Sequence, residues 1–324
     1  MIRTRICELL GIEHPVVLGG MASGTSPPLV AAVSNAGGFG TLGAANLSPT
    51  QVAEQIAAIR ASTKKPFGVN FLLFEIQEEG FAAALEAKPP LVAFAWARPE
   101  QDLGPWFSRV HDMGSKVMYM AGEVPEVVRG AEAGADVVVA QGTEGGGHVG
   151  WMAAMPLVPM VVSAVAPLPV LAAGGIADGR GLAAALALGA EGVLLGTRFL
   201  ATEESPLHPN HKDAIVRSDG HDTDLTEIPD IASGRVWPGA MARAARNGFI
   251  RKWAGREWDL RRNRREAGEE AMAARQAGDV ENASLLYGQD AGLIEEILPA
   301  AEVIRRTVEE AEAIISGRLG RVIQ

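Results

Sequence analysis

The stretch Leu171-Ala172-Ala173-Gly174-Gly175-Ile176-Ala177-Asp178-Gly179, followed about twenty residues later by Leu194-Leu195-Gly196-Thr197-Arg198-Phe199, decides the fold class. In each segment a short apolar run ends in glycine and gives way to a helical pattern. Continuous apolar runs suit strands buried on both faces of a parallel sheet. Glycine lets the chain turn sharply and brings backbone N–H groups close to an anion with no Cβ in the way. The loops after the seventh and eighth strands of a (β/α)8 barrel are a common phosphate site. Two tight turns would also explain the glycines, but the order and spacing of the two loops favour a phosphate cradle.

Upstream, six further apolar runs alternate with helical ones. The eight strand candidates are His14–Gly19, Phe39–Gly43, Phe67–Leu73, Leu91–Trp96, Lys116–Ala121, Asp136–Gln141, Pro169–Ala173 and Gly192–Gly196. Helix candidates between them include Pro27–Asn35, Pro49–Ala61, Pro125–Ala133 and Arg180–Leu188. Strict alternation permits an open doubly wound sheet or a closed barrel. The count of eight, with glycines at the C-terminal ends of strands, predicts an α/β fold of the (β/α)8 TIM-barrel type. An early dinucleotide fingerprint is absent: Gly37-Gly38-Phe39-Gly40 precedes a strand, the wrong order for that role.

Beyond residue 218 the texture changes. Arg251 to Arg275 is dense in alternating charge and reads as solvated helix, while Ile304, Val308, Ala311 and Ile315 form an apolar stripe closed by Gly317. The expected organisation is a barrel over 1–218, a helical cap (substrate) domain over 219–295, and a C-terminal helix over 296–324 returning to the barrel as its eighth helix.

Composition bounds the function. The 324 residues are 48% hydrophobic and 21% charged, with a formal net charge of −10, which argues against nucleic-acid or anionic-membrane partners. A single cysteine, Cys7, allows neither an internal disulfide nor a cysteine metal cluster and suits a cytoplasmic location. The first residues lack the apolar run of a signal peptide. Met155 to Ala177 is uncharged and long enough to cross a bilayer, but Pro156, Pro159, Pro167 and Pro169 punctuate it; a buried helix followed by a buried strand is the expectation.

Three further segments carry candidate chemistry. Gln141-Gly142-Thr143-Glu144-Gly145-Gly146-Gly147-His148-Val149-Gly150 sets one imidazole among five glycines after the sixth strand, on a loop expected to be mobile. Histidine there suits proton transfer near neutrality or a hydrogen bond to an anionic substrate. Gly19-Gly20-Met21 follows the first strand and could lie against a flat ring, and Asn70 in the third offers both a donor and an acceptor to a ring's polar edge. A buried structural Asn or a core Met would look the same. His208 and His211 lack a third ligand nearby and read as a solvated helix start, so no metal site is expected.

Taken together, GGM (Gly19–Met21), PFGVN (Pro66–Asn70), QGTEGGGHVG (Gln141–Gly150), AAGGIADGRG (Ala172–Gly181) and LGTRF (Leu195–Phe199) resemble the nitronate monooxygenase family, formerly called 2-nitropropane dioxygenases. SGR (Ser233–Arg235) and YGQDAGLI (Tyr287–Ile294) extend the resemblance over most of the chain. It implies a barrel holding non-covalent FMN beneath a helical substrate domain, and oxidation of alkyl nitronates such as propionate 3-nitronate by O2 to a carbonyl compound and nitrite. By matching motif, Gly174, Gly175, Gly196 and Thr197 would hold the phosphate. Gly20, Met21, Asn70, Gln141, Gly146 and Gly147 would approach the flavin and ribityl chain. His148 would be the active-site histidine, with Gln289 and Gly292 beside the cofactor. The same resemblance extends to FMN-dependent enoyl-carrier-protein reductases and NADH:quinone reductases, so NAD(P)H is the alternative reductant and a quinone or enoyl thioester the alternative acceptor. Trp151 to Met155 departs from the family's usual continuation, which leaves the exact substrate open; the sequence as a whole leaves homo-oligomerisation open.

Overall fold

The computed structural model describes residues 2–322. Its strands, in chain order, are β1 (Val16–Leu18), β2 (Gly40–Gly43), β3 (Phe67–Leu72), β4 (Leu91–Ala95), β5 (Lys116–Ala121), β6 (Val137–Gln141), β7 (Gly147–Val149), β8 (Val170–Ala173), β9 (Gly192–Leu195), β10 (Thr223–Thr226) and β11 (Met241–Ala245). All strands but β7, β10 and β11 form one parallel sheet in the order β1-β9-β8-β6-β5-β4-β3-β2. Its two ends meet: Leu18 N–H donates to the Phe39 carbonyl at 2.9 Å, and Phe39 N–H to the Val16 carbonyl at 3.0 Å. The sheet is therefore a closed barrel, and all eight predicted strands take their places in it.

Alternation along each strand explains why these runs are apolar throughout. Val17, Phe39, Leu91, Met118, Val137, Val139 and Leu171 point inward, joined by Ile6, Cys7 and Leu10 of the helix Arg5–Leu10. Their neighbours Val16, Leu18, Val69, Val92 and Val138 face the surrounding helices. Each such side chain contributes about 1.5–3 kcal/mol through burial. Cys7 is one of these packing residues, with 2% exposure.

The helix Ala300–Ala313 buries Val303, Ile304, Thr307, Val308 and Ala311 and packs against the helices Pro27–Asn35 and Gly179–Ala187. It thus takes the place between those two helices in the ring around the barrel, which the short helix Thr197–Leu200 after β9 does not fill. A Cβ at Gly179 would lie 2.5 Å from the Ala311 nitrogen, and Gly179 N–H donates to Glu310 Oε2 at 2.8 Å. Glycine is what lets these helices touch.

The segment read as a helical cap contains helices Ile228–Ser233, Gly248–Trp253, Glu257–Arg262 and Arg264–Ala277, with a small core around Phe249, Trp253 and Leu260. It also supplies two strands that the sequence reading did not anticipate. β10 pairs with β11, and β11 pairs antiparallel with β7 from the glycine loop. Thr-Asp-Leu-Thr and Met-Ala-Arg-Ala-Ala are short and carry charge, so neither alternates clearly enough to stand out. Among the described residues no helix is long and apolar enough to cross a membrane.

Candidate active site

At the C-terminal ends of the barrel strands a cavity opens, lined by barrel residues and by residues of the segment 219–295. Gly20, Met21, Asn70, Gln141, Gly146, Gly147, His148, Gly174, Gly175, Gly196 and Thr197, eleven residues singled out from sequence, all line it. Gln289 and Gly292 do not. The 3-10 turn Gln289–Leu293 directs both outward, and the cavity takes Tyr287 and Asp290 from this segment instead.

The two glycine loops make one wall. Gly174 and Gly175 have φ of +90° and +72°, a left-handed pair that residues with a Cβ rarely adopt. The N–H groups of Gly174, Gly175 and Gly196 donate to no acceptor among the described residues. The nearby helix Gly179–Ala187 is capped within the protein: Asp178 accepts from Arg180 and Gly181 N–H. The anion-ready donors are therefore those of the loops, not of that helix. Thr197 Oγ1 accepts from Gly288 N–H at 2.9 Å, and the neighbouring Asp290 is buried. Burial pushes its carboxyl up to about 7 against the smaller opposing pull of backbone and Thr197 hydrogen bonds and of Arg198.

The floor is formed by Gly20, Met21, Asn70 and Gln141. A Cβ on Gly20 would fall 2.4 Å from Asn70 Cβ, so glycine is needed for this approach. Asn70 donates to the Gly20 carbonyl at 3.4 Å. Gln141 Oε1 is buried with no hydrogen-bond partner, an acceptor oriented to await a donor.

His148 also lines the cavity, and the loop expected to be mobile is built in part as a paired strand. Gly147 to Val149 is strand β7, paired with Arg243 to Met241, with His148 opposite Ala242. Arg243 ties the preceding turn down by donating to the Thr143 carbonyl at 2.9 and 3.0 Å. His148 Nε2 lies 2.7 Å from Asp230 Oδ1, and both side chains are about nine-tenths buried. Its ring stacks on Trp237 with centroids 3.4 Å apart and planes 10° from parallel. With Asp230 as the acceptor, the ring proton is on Nε2, and Nδ1 has no hydrogen bond to the protein among the described residues.

Sequence reasoning missed Asp230 and Trp237, which lie 82 and 89 residues beyond His148 in the chain. Asp230 sits on the helix Ile228–Ser233, ended by Gly234 at φ +71°. The chain then crosses the barrel mouth, where Trp237 packs on Phe74 and Trp96. Arg235 pairs with Glu75 at 3.3 Å and donates to Asn46. His211 also differs from expectation: it is 3% exposed and lines the cavity rather than water. No cluster suited to a metal ion occurs among the described residues.

Comparison with known proteins places these features in context. The family model for nitronate monooxygenase matches residues 3–84 and 77–310. A probable nitronate monooxygenase of Staphylococcus aureus (strain JH9) is 32% identical over 304 residues, covering 80% of this chain and 82% of the relative. The structure of FabK from Thermotoga maritima superposes with a TM-score of 0.89 at 37% identity, covering 99% of this chain and 100% of that one. A nitroalkane oxidase from Streptomyces ansochromogenes gives a TM-score of 0.82 at 28% identity, covering 96% and 99%.

Proposed function

This chain belongs to the nitronate monooxygenase family of oxidoreductases, and we propose that it is an FMN-dependent enzyme oxidising alkyl nitronates of the propionate 3-nitronate type. The observation that carries this reading is that the Asp230-held His148 and the open N–H groups of the two glycine loops line one cavity.

The residues present fit FMN. The open N–H groups at Gly174, Gly175 and Gly196, with Thr197, would hold the phosphate. The unpartnered Gln141 Oε1, Asn70 and the bare backbone at Gly20 and Met21 would meet the ring and ribityl chain. Bound there, FMN supplies the electron transfer between nitronate and O2 that releases a carbonyl compound and nitrite. The protein's work is placement and proton management. Asp230 keeps the Nε2 proton in place, so Nδ1 takes the proton from the α-carbon of a neutral nitroalkane or, once protonated, donates to a nitronate oxygen. Trp237 fixes the plane of the imidazole and shields it from water. The cap segment holding both residues (219–295) is then a substrate domain.

His148→Ala is expected to lower turnover of a neutral nitroalkane by about 100-fold or more while the protein keeps its FMN. Unchanged turnover would remove His148 from the mechanism.

A second reading keeps FMN but draws electrons from NAD(P)H for a quinone or an enoyl thioester. It is favoured by the breadth of the cavity lining, which includes Leu200, Leu207 and Arg275 besides the glycine loops, floor and His148, more residues than a small nitronate needs. Anaerobic reduction of the flavin by NADH but not by nitronate would select it.

A further inference from the structure

Two arginines line the cavity, and they differ in one respect. Arg235 is paired with Glu75. Arg275, at the end of the helix Arg264–Ala277, forms no ion pair among the described residues. Its guanidinium donates only to the Ser284 carbonyl at 3.2 Å and to Ser23 Oγ at 3.4 Å, two neutral acceptors for a group with five N–H donors. Desolvation is the sole cause of its lowered pKa, with no carboxylate offsetting it. A half-buried cation without a counter-charge is costly to keep.

Beside it lies a second unmet donor or acceptor. His211 is 3% exposed, and its Nε2 is buried with no hydrogen-bond partner. Burial, then Arg275, then His208 hold its pKa down, and its helix meets the end of the Arg275 helix, where Asn210 Nδ2 donates to the Gly278 carbonyl at 2.9 Å and Ile215 shares a cluster with Ala274. His208, neutral or cationic like any histidine, offers Arg275 no counter-charge, and its Nδ1 is taken up in capping the helix Pro209–Arg217 by accepting from Asn210 N–H. The acidic residue of the lining, Asp290, belongs to the Thr197 side. The lining also carries Leu200, Leu207, Ile215 and Leu285, apolar side chains that pack in one cluster with Ala274, the neighbour of Arg275.

We propose that Arg275 and His211 form an oxyanion subsite, separate from the Gly174–Gly175 and Gly196–Thr197 cradle, that takes the anionic end of the molecule reacting in this cavity. The group is a carboxylate or a phosphate. Arg275 supplies charge and paired donors, His211 Nε2 supplies the remaining hydrogen bond, and the leucines pack the carbon chain that joins the anion to the reacting end. The proposal rests on the cavity being the flavin-substrate cleft, but the subsite can be tested without turnover.

Calorimetric titration of the purified, flavin-loaded protein with propionate and, separately, with pyrophosphate probes the two sources. Binding of propionate would identify a carboxylate-ended substrate, and binding of pyrophosphate a phosphate-bearing donor or thioester. Arg275→Gln is expected to weaken whichever binds by about tenfold or more, and His211→Gln by less. In turnover, Arg275→Gln should lower kcat/KM for propionate 3-nitronate about tenfold further than for an alkyl nitronate lacking the carboxylate, if nitronate is the substrate. FMN content, read from absorbance, separates the possibilities. Loss of FMN in Arg275→Gln, with equal losses on both nitronates, would assign Arg275 to the cofactor and overturn the proposal. So would the absence of propionate and pyrophosphate binding to the wild type, or binding that neither substitution weakens. A colourless protein that still binds either anion through Arg275 would refute the flavin reading and leave the subsite standing.

Discussion

His148 was legible in the sequence because five glycines around one imidazole have no economical structural explanation. Its partner was not. Asp230 lies among ordinary helix-forming residues, and only the pairing of β7 with β11 brings its helix to the loop. The dyad predicts a selective effect: Asp230→Asn should slow a neutral nitroalkane about 10- to 100-fold and a preformed nitronate much less, since only the former needs a proton removed. Initial rates on the two forms of one substrate decide it, and equal losses would make Asp230 merely structural. Asp290 gives a prediction in pH. Its carboxyl is raised to about 7 in the fold from an ordinary 3.8, so the folded state holds its proton more tightly than the unfolded chain. That contribution to stability is complete below about pH 4 and declines as pH rises towards 7. Asp290→Asn should flatten the decline in a urea-unfolding series over that range; an unchanged slope would mean that Asp290 does not titrate there.

At the scale of elements, the barrel strands were legible as uninterrupted apolar runs, because a strand with one face on the barrel interior and the other on helices has no polar face to reveal. The reading overran several ends by a residue or two, as at His14–Gly19 against Val16–Leu18, where glycine and proline flank the run. The strands of the small sheet were hidden. β7 reads as flexible glycine until a partner is known, and β11 is alanine-rich and helix-like. Charge also misled: the run ending at Arg275 is largely solvated, yet its last arginine enters the cavity. Gly179 tests the seating of the C-terminal helix. A methyl there must displace the backbone at Ala311 and Thr307, so Gly179→Ala should cost about 1–3 kcal/mol, measured as a lowered urea midpoint. No change would show that the helix contributes little to the barrel.

For the whole molecule, the closed sheet fixes eight loops at one rim, and the segment 219–295 brings Trp237 and Arg275 to the cavity there and Asp230 to His148. The glycine loops, floor and histidine of the cavity were legible because each lies in a local run of glycines or on a strand end. The rest was not, since it depends on how a distant segment folds back over the mouth. The central claim is that this cavity holds FMN and that a nitronate reduces it. The direct test is anaerobic mixing of the purified yellow protein with propionate 3-nitronate and, in a second trace, with NADH. The account predicts loss of the oxidised flavin absorbance with the nitronate, restored by admitting O2 with release of nitrite. Bleaching by NADH alone, with the nitronate trace flat, would contradict it.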